Sequence, residues 1–173
     1  MMTLRDVLVS SCKALNGSKI PYALTGGFAF GIHIMPRSTM DVDFCIGSLA
    51  DVERITRALE PEFERIILHK TAMNIGILQL SRVIGINAGM EIIIDLIVPV
   101  NQVFASNILE RRIEIDLDGC VIPVVSLDDL YIMKKLSSRD QDRIDCARIE
   151  EKAGGLLDRT YVDFWMDRLR SGS

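Results

Sequence analysis

Histidine, clustered cysteine and excess positive charge are all scarce in this chain. Its two histidines, His33 and His69, have no partners at metal-ligand spacing, and His33 reads as a packed helix residue in an apolar stretch. The four cysteines, Cys12, Cys45, Cys120 and Cys146, are widely spaced with no Cys-x-x-Cys, so zinc is not indicated. A chain of 173 residues, 49% of them hydrophobic, can bury a core without staples, and the cysteines read as buried free thiols. Lys and Arg number 20 against 24 Asp and Glu, a net charge of −4. That balance excludes a general nucleic-acid coat protein, which depends on cation excess, and leaves room only for a local basic face toward RNA. No long apolar run survives inspection. The longest uncharged stretch, 20–36, is broken by Pro21, Gly26, Gly27 and Gly31 and closed by Pro36, so it is not a membrane helix. The opening Met1-Met2-Thr3-Leu4-Arg5-Asp6 has no charged segment leading into an apolar one, and the expectation is a soluble, cytoplasmic protein with no membrane association.

Repeats, low-complexity segments and Pro/Ser-rich linkers are also missing, so a single domain over 1–173 is expected, with a core at about 18–125 and C-terminal helices at about 126–171. Apolar spacing predicts a first helix from a Thr3 cap to Gly17, a short strand over Tyr22–Thr25 and a helix over Phe28–Met35 stopped by Pro36. Met40 to Ile46 alternates, with Met40, Val42, Phe44 and Ile46 on one face and Asp41 and Asp43 on the other. A helix follows over Asp51–Leu59 behind Ser48. Strands are expected at Ile66–Leu68, Ile75–Leu80 and Glu91–Val98, the last carrying Asp95 alone among β-branched and aliphatic residues. A helix over Asn101–Glu110 leads to a hairpin turning at Asp118-Gly119. Three helical stretches close the chain, beginning at Ser126, Asp140 and Arg159. The fold class is α/β (α+β): a mixed central sheet flanked by helices.

The chemistry concentrates in two segments, Leu24-Thr25-Gly26-Gly27-Phe28 and Arg37-Ser38-Thr39-Met40-Asp41-Val42-Asp43, joined by Asp95. Taken singly, the glycines can serve packing or a positive φ, and the acids can be a solvated strand face. Together they say more. Residues i and i+2 of a strand point the same way, about 6.6 Å apart, so Asp41 and Asp43 offer two carboxylates to one side. Such acids repel unless a cation sits between them, and a hard divalent ion such as Mg²⁺ takes oxygen ligands. A carboxylate buried at Asp95 also needs a partner, which a second cation can supply. Glycines at a helix start let a phosphate approach backbone N–H groups, where the helix dipole favours an anion. These residue types describe a site for phosphoryl or nucleotidyl transfer.

Gly26-Gly27, Arg37-x-Thr39-x-Asp41-x-Asp43 and the later strand residue Asp95 resemble the DNA polymerase beta-type nucleotidyltransferase superfamily, most closely its small bacterial and archaeal members related to the nucleotidyltransferase toxins of abortive-infection systems. Ser126 to Lys135, followed by Arg139-x-x-Asp142-x-x-Asp145, is similar to the Lys-bearing C-terminal segment of that family, so the likeness spans roughly 20–150. The resemblance implies a nucleotidyltransferase-like fold and an enzyme moving a nucleoside monophosphate from an NTP such as ATP to an acceptor, releasing pyrophosphate. Asp41, Asp43 and Asp95 would be the catalytic acids and the ligands of one or two Mg²⁺ ions, replaceable by Mn²⁺. Gly26, Gly27, Arg37, Thr39 and Lys134 would hold the nucleotide, with Lys135 as the competing lysine. Arg139, Asp142 and Asp145 can instead form a structural charge network tying the last helices to the core. Many members have Gly-Ser where this chain has Gly26-Gly27, a departure that points to the toxin-like branch. The acceptor is open among a tRNA 3′ end, a protein hydroxyl and a small molecule, and a cognate antitoxin is a partner the resemblance brings with it. The alternative is a catalytically silent nucleotide-binding or toxin–antitoxin interaction module. Retention of all three acids favours the enzyme.

Overall fold

The computed structural model describes residues 3–69 and 71–171. The chain runs α1 (Leu4–Ser18), β1 (Tyr22–Leu24), α2 (Gly26–His33), β2 (Asp41–Ile46), α3 (Val52–Leu59), β3 (Arg65–Leu68), β4 (Met73–Ile75), β5 (Leu78–Asn87), β6 (Met90–Pro99), α4 (Gln102–Arg111), β7 (Ile113–Leu117), β8 (Cys120–Val124), α5 (Leu127–Lys135), α6 (Asp140–Ala153) and α7 (Arg159–Ser171). The strands form one mixed sheet in the order β3-β5-β6-β2-β1-β8-β7, with β4 paired to β5. No described helix is long and apolar enough to cross a membrane.

Local signals start and stop most elements. Thr3 caps α1 through a reciprocal capping box with Asp6. The helix passes through Gly17 and ends one residue later, at a left-handed Lys19. Ser126 accepts a hydrogen bond from the Asp129 amide at the start of α5. Asp118 and Gly119, both at positive φ, make the two-residue turn between β7 and β8.

Departures from the sequence-based expectation around the site are informative. The helix expected from Phe28 starts at Gly26, so both glycines lie inside its first turn. Met40 precedes β2 and is 85% exposed, which removes it from the buried face shared by Val42, Phe44 and Ile46. The strand expected over Ile75–Leu80 is instead a hairpin: β4 ends at Ile75, Gly76 turns with φ 58°, and β5 continues to Asn87. That continuation went unread because Ser81, Arg82 and Gly85 interrupt the apolar pattern.

The registers matter for function. β2 and β6 are parallel neighbours, with Asp43 beside Asp95 and Val42 beside Ile94. β5 is antiparallel to β6 on its other side, placing Arg82 opposite Asp95. Both β2 and β6 are therefore interior strands, and Val42, Phe44, Ile94 and Leu96 are fully buried. At the C-terminal end α5 contacts α2, α6 and α7, so α5 joins the last two helices to α2.

Gly85 lies under the Phe63 ring, where an added Cβ would stand 2.4 Å from Cδ1. Gly85→Ala is expected to cost about 1–3 kcal/mol through overpacking. The check is the urea midpoint, and the loss should shrink when Phe63→Leu is combined with it, because the two positions share one contact.

Candidate active site

The three acids converge. One carboxylate oxygen from each of Asp41, Asp43 and Asp95 lies within 4.8 Å of the others. Asp41 and Asp43 are half-buried and Asp95 is buried at 3% exposure. Burial, and then the negative charges of Asp41 and Asp95, push the Asp43 carboxyl up to about 7. Arg139 and the backbone amide of Gly27 act in the opposite direction. An all-oxygen set of this compactness, short of positive charge, fits a hard divalent cation such as Mg²⁺.

Each acid has its own support. The Thr39 hydroxyl donates to Asp41 Oδ1 at 3.0 Å. Asp43 is held through its main chain, whose carbonyl accepts from the Thr25 amide at 2.9 Å, tying the β1–α2 turn to β2. Asp95 is gripped by Arg82, with Nε 2.8 Å from Oδ1 and Nη2 2.8 Å from Oδ2. This fork raises the Arg82 pKa above its ordinary value, first through the hydrogen bond to Asp95 and further through the charges of Asp95, Asp41 and Asp43. Sequence reasoning did not single out Arg82. The signal available was a cation on a neighbouring strand, and finding it required the β5–β6 register.

The two glycines stand against the acids. Gly26 has φ 62°, and a Cβ there would lie 1.8 Å from Asp43 Oδ2. A Cβ on Gly27 would lie 2.6 Å from Thr39 Oγ1, the hydroxyl that orients Asp41. Glycine is thus needed at the first position for both backbone conformation and space, and at the second for space.

The remaining residues form a buried charge network. Lys134 Nζ, on α5, donates at 2.7 Å to both Asp142 Oδ1 and Asp145 Oδ2 on α6. Arg37 Nη2 reaches the same Asp145 oxygen at 3.2 Å, and Arg139 Nε reaches Asp142 Oδ2 at 2.7 Å. Lys134 and Arg37 both lie over the Phe30 ring of α2. Lys135 is not part of this network; its ammonium lies over the Tyr131 ring. An ammonium has three donors, so Lys134 keeps one beyond its two aspartates.

Two clefts flank the acids. One is polar and brings together Gly26, Gly27, Arg37, Thr39, Asp41, Asp43, Lys134 and Arg139. The other shares Gly26, Asp43, Lys134 and Arg139 but is walled by Ile75, Ile77, Leu78 and Leu80 from the β4–β5 region, Ile97 of β6, and Leu130, Met133 and Leu136 from α5 and its end. Of the residues singled out from the sequence, Gly26, Gly27, Arg37, Thr39, Asp41, Asp43, Lys134, Arg139 and Asp142 line the polar cleft, while Asp95, Lys135 and Asp145 do not.

No family model matches the chain. No curated protein matches it in sequence either. Solved structures do match in shape. A Thermotoga maritima protein, described provisionally as a nucleotidyltransferase, superposes with a TM-score of 0.57 at 18% identity, over 94% of this chain and 96% of its own. A Helicobacter pylori protein described in the same provisional way gives 0.53 at 14% identity, covering 85% of this chain and 66% of its own. A second H. pylori structure gives 0.50 at 15% identity, covering 85% and 64%. The mixed sheet flanked by helices is therefore the fold of proteins provisionally described as nucleotidyltransferases.

Proposed function

We propose that the protein is a divalent-cation-dependent nucleotidyltransferase, carrying a nucleoside monophosphate from an NTP to an acceptor hydroxyl and releasing pyrophosphate. The observation that carries this reading is the convergence of Asp41, Asp43 and Asp95, the first two lining a polar cleft that also holds Gly26, Gly27, Arg37 and Arg139. Asp41 and Asp43 would hold Mg²⁺, and Asp95 completes the acidic cluster behind them. When bound, the cation neutralises phosphate charge and polarises the reacting phosphoryl group.

The protein's own residues do the positioning. The polar cleft receives the triphosphate, with Arg37, Arg139 and the third donor of Lys134 supplying positive charge against it. Arg139 is the most available of these cations, its side chain 65% exposed. Thr39 keeps Asp41 in one orientation, so the carboxylate pair is arranged before substrate arrives. The aliphatic cleft on the other side of Asp43 accepts the base, offering van der Waals surface rather than many hydrogen bonds. Gly27, where many relatives in the resembling family carry Ser, keeps the toxin-like branch as the subgroup reading. A tRNA 3′ end, a protein hydroxyl and a small molecule are the acceptors to be tried, and a cognate antitoxin belongs to the same reading.

The direct test is incubation of the protein with each labelled NTP, Mg²⁺ and a cell extract, followed by fractionation to find the labelled species. Transfer should occur in the wild type and fall at least about 100-fold in Asp43→Asn. Absence of label in every fraction, with the protein folded and binding no NTP, overturns the reading.

The raised Asp43 carboxyl yields a linked pH effect. Between the ordinary value near 3.8 and about 7, the folded chain holds a proton that the unfolded chain has released. Its contribution to stability therefore falls as pH rises through that window, and the full cost is present above it. Mg²⁺ competes with that proton, so it should raise Tm more at about pH 8 than at about pH 5.5. Asp43→Asn should flatten both the pH trend and the Mg²⁺ response. Thermal melts of the two proteins at the two pH values, with and without Mg²⁺, provide the check.

A further inference from the structure

Arg82 makes the most completely specified contact in the site. A guanidinium forks onto a carboxylate through two parallel N–H groups in one plane, and both oxygens of Asp95 are engaged at 2.8 Å. The pair is built into the sheet rather than laid over it, since Arg82 and Asp95 are direct cross-strand partners on β5 and β6. The Asp95 carboxylate is almost fully buried, while the Arg82 side chain is 33% exposed. Arg82 therefore brings fixed positive charge from the sheet to the third acid. Three carboxylates facing one fork and one divalent cation sum to zero charge, whereas a second divalent cation on Asp95 would have to share it with a guanidinium already bound to both oxygens.

We propose that Arg82 is a positioning residue that takes the place of one divalent cation, so that the acidic cluster loads a single cation on Asp41 and Asp43 while Asp95 serves to hold the guanidinium beside it. The proposal rests on the nucleotidyltransferase reading above and adds the number of cations that this site carries. It also gives Asp95 a role separate from those of the other two acids: removing it would release Arg82 and leave the Asp41–Asp43 pair in place.

Mn²⁺ is the probe, because two Mn²⁺ ions sharing a carboxylate cluster give an exchange-coupled electron paramagnetic resonance spectrum and one ion does not. The full chain is mixed with Mn²⁺ and a non-hydrolysable NTP analogue, and a thermal melt of each sample reports the folded fraction. The wild type should show an uncoupled ion and one bound Mn²⁺ beyond any ion free in solution or on unbound analogue. Arg82→Gln, which keeps polarity but removes the charge, should show a coupled pair and a count of two. Arg82→Lys, which restores a charge at the same place, should return to one. A merely structural arginine would change the melt in both variants and the count in neither. A coupled pair in the wild type overturns this proposal and leaves the nucleotidyltransferase reading standing. A single ion in folded Arg82→Gln overturns the proposal as well. No bound Mn²⁺ in wild type or variants overturns both readings together. Should Arg82→Gln fail to fold, the wild-type spectrum still decides, since a pair there refutes the proposal and a single ion that persists in Arg82→Lys supports it.

Discussion

Three carboxylates on two neighbouring strands set the terms for everything around them. The parallel register of β2 and β6 puts Asp43 beside Asp95, and the two-residue repeat of a strand puts Asp41 on the same side. Ionised and within 4.8 Å, each pair repels by about 3–4 kcal/mol at an effective dielectric near 20. The chain offsets this locally for two of the acids, with a hydroxyl on Asp41 and a guanidinium on Asp95. Asp43 is offset only in part, by the Arg139 charge and the Gly27 amide, and its carboxyl is the one that burial and its neighbours push up to about 7. The site is thus left short of positive charge at one defined place, between the sheet and the polar cleft.

Much of this was legible in the sequence, and the reasons are specific. Asp95 announced itself because a lone acid in a β-branched run must be buried and must have a partner. Asp41 and Asp43 did so through the strand period, and the hairpin at Asp118-Gly119 through residues that tolerate positive φ. What was not legible depended on register. The strand containing Arg82 carries Ser81, Gly85 and Asn87, so its apolar signal is weak, and it is held by pairing on both sides, with β6 and with the short β3 and β4. Without that strand the expected partner of Asp95 was a second cation, where the structure places Arg82. Lys134 was found by pattern, but its surroundings were not: only the packing of α5 against α2 and α6 brings it to Asp142, Asp145 and Phe30.

The buried charges of α5 and α6 link the C-terminal helices to the site. Lys134, Asp142 and Asp145 are all nearly inaccessible, and burying ions is costly unless their geometry is good and their remaining hydrogen bonds are met. Here Arg37, Arg139 and Gln141 meet them. Arg37 and Arg139 also line the polar cleft, so two of the groups that satisfy the network face that cleft. Moving α6 would strand two carboxylates and an ammonium at once. The helices are thereby held in one register over the sheet, and the width of both clefts is set by charge pairing as well as by apolar packing.

The Gly26-Gly27 pair brings the two kinds of argument together. Read from sequence, the glycines invite a phosphate to approach the backbone. The structure adds a demand that exists before any ligand: Gly26 must clear the Asp43 carboxylate and adopt a positive φ, and Gly27 must clear the Thr39 hydroxyl that steers Asp41. A side chain at either position would therefore disturb the acids first, and any loss of nucleotide binding in such a variant would be transmitted through Asp41 or Asp43 as well as through the lost approach to the amides. The helix start and the acidic cluster are not two adjacent devices but one. The turn from β1 into α2 is tied to β2 through the Thr25 amide, its glycines fit the space the acids leave, and the Gly27 amide favours the charged form of Asp43. What holds the carboxylates close enough for a cation is the same backbone that would meet the phosphate.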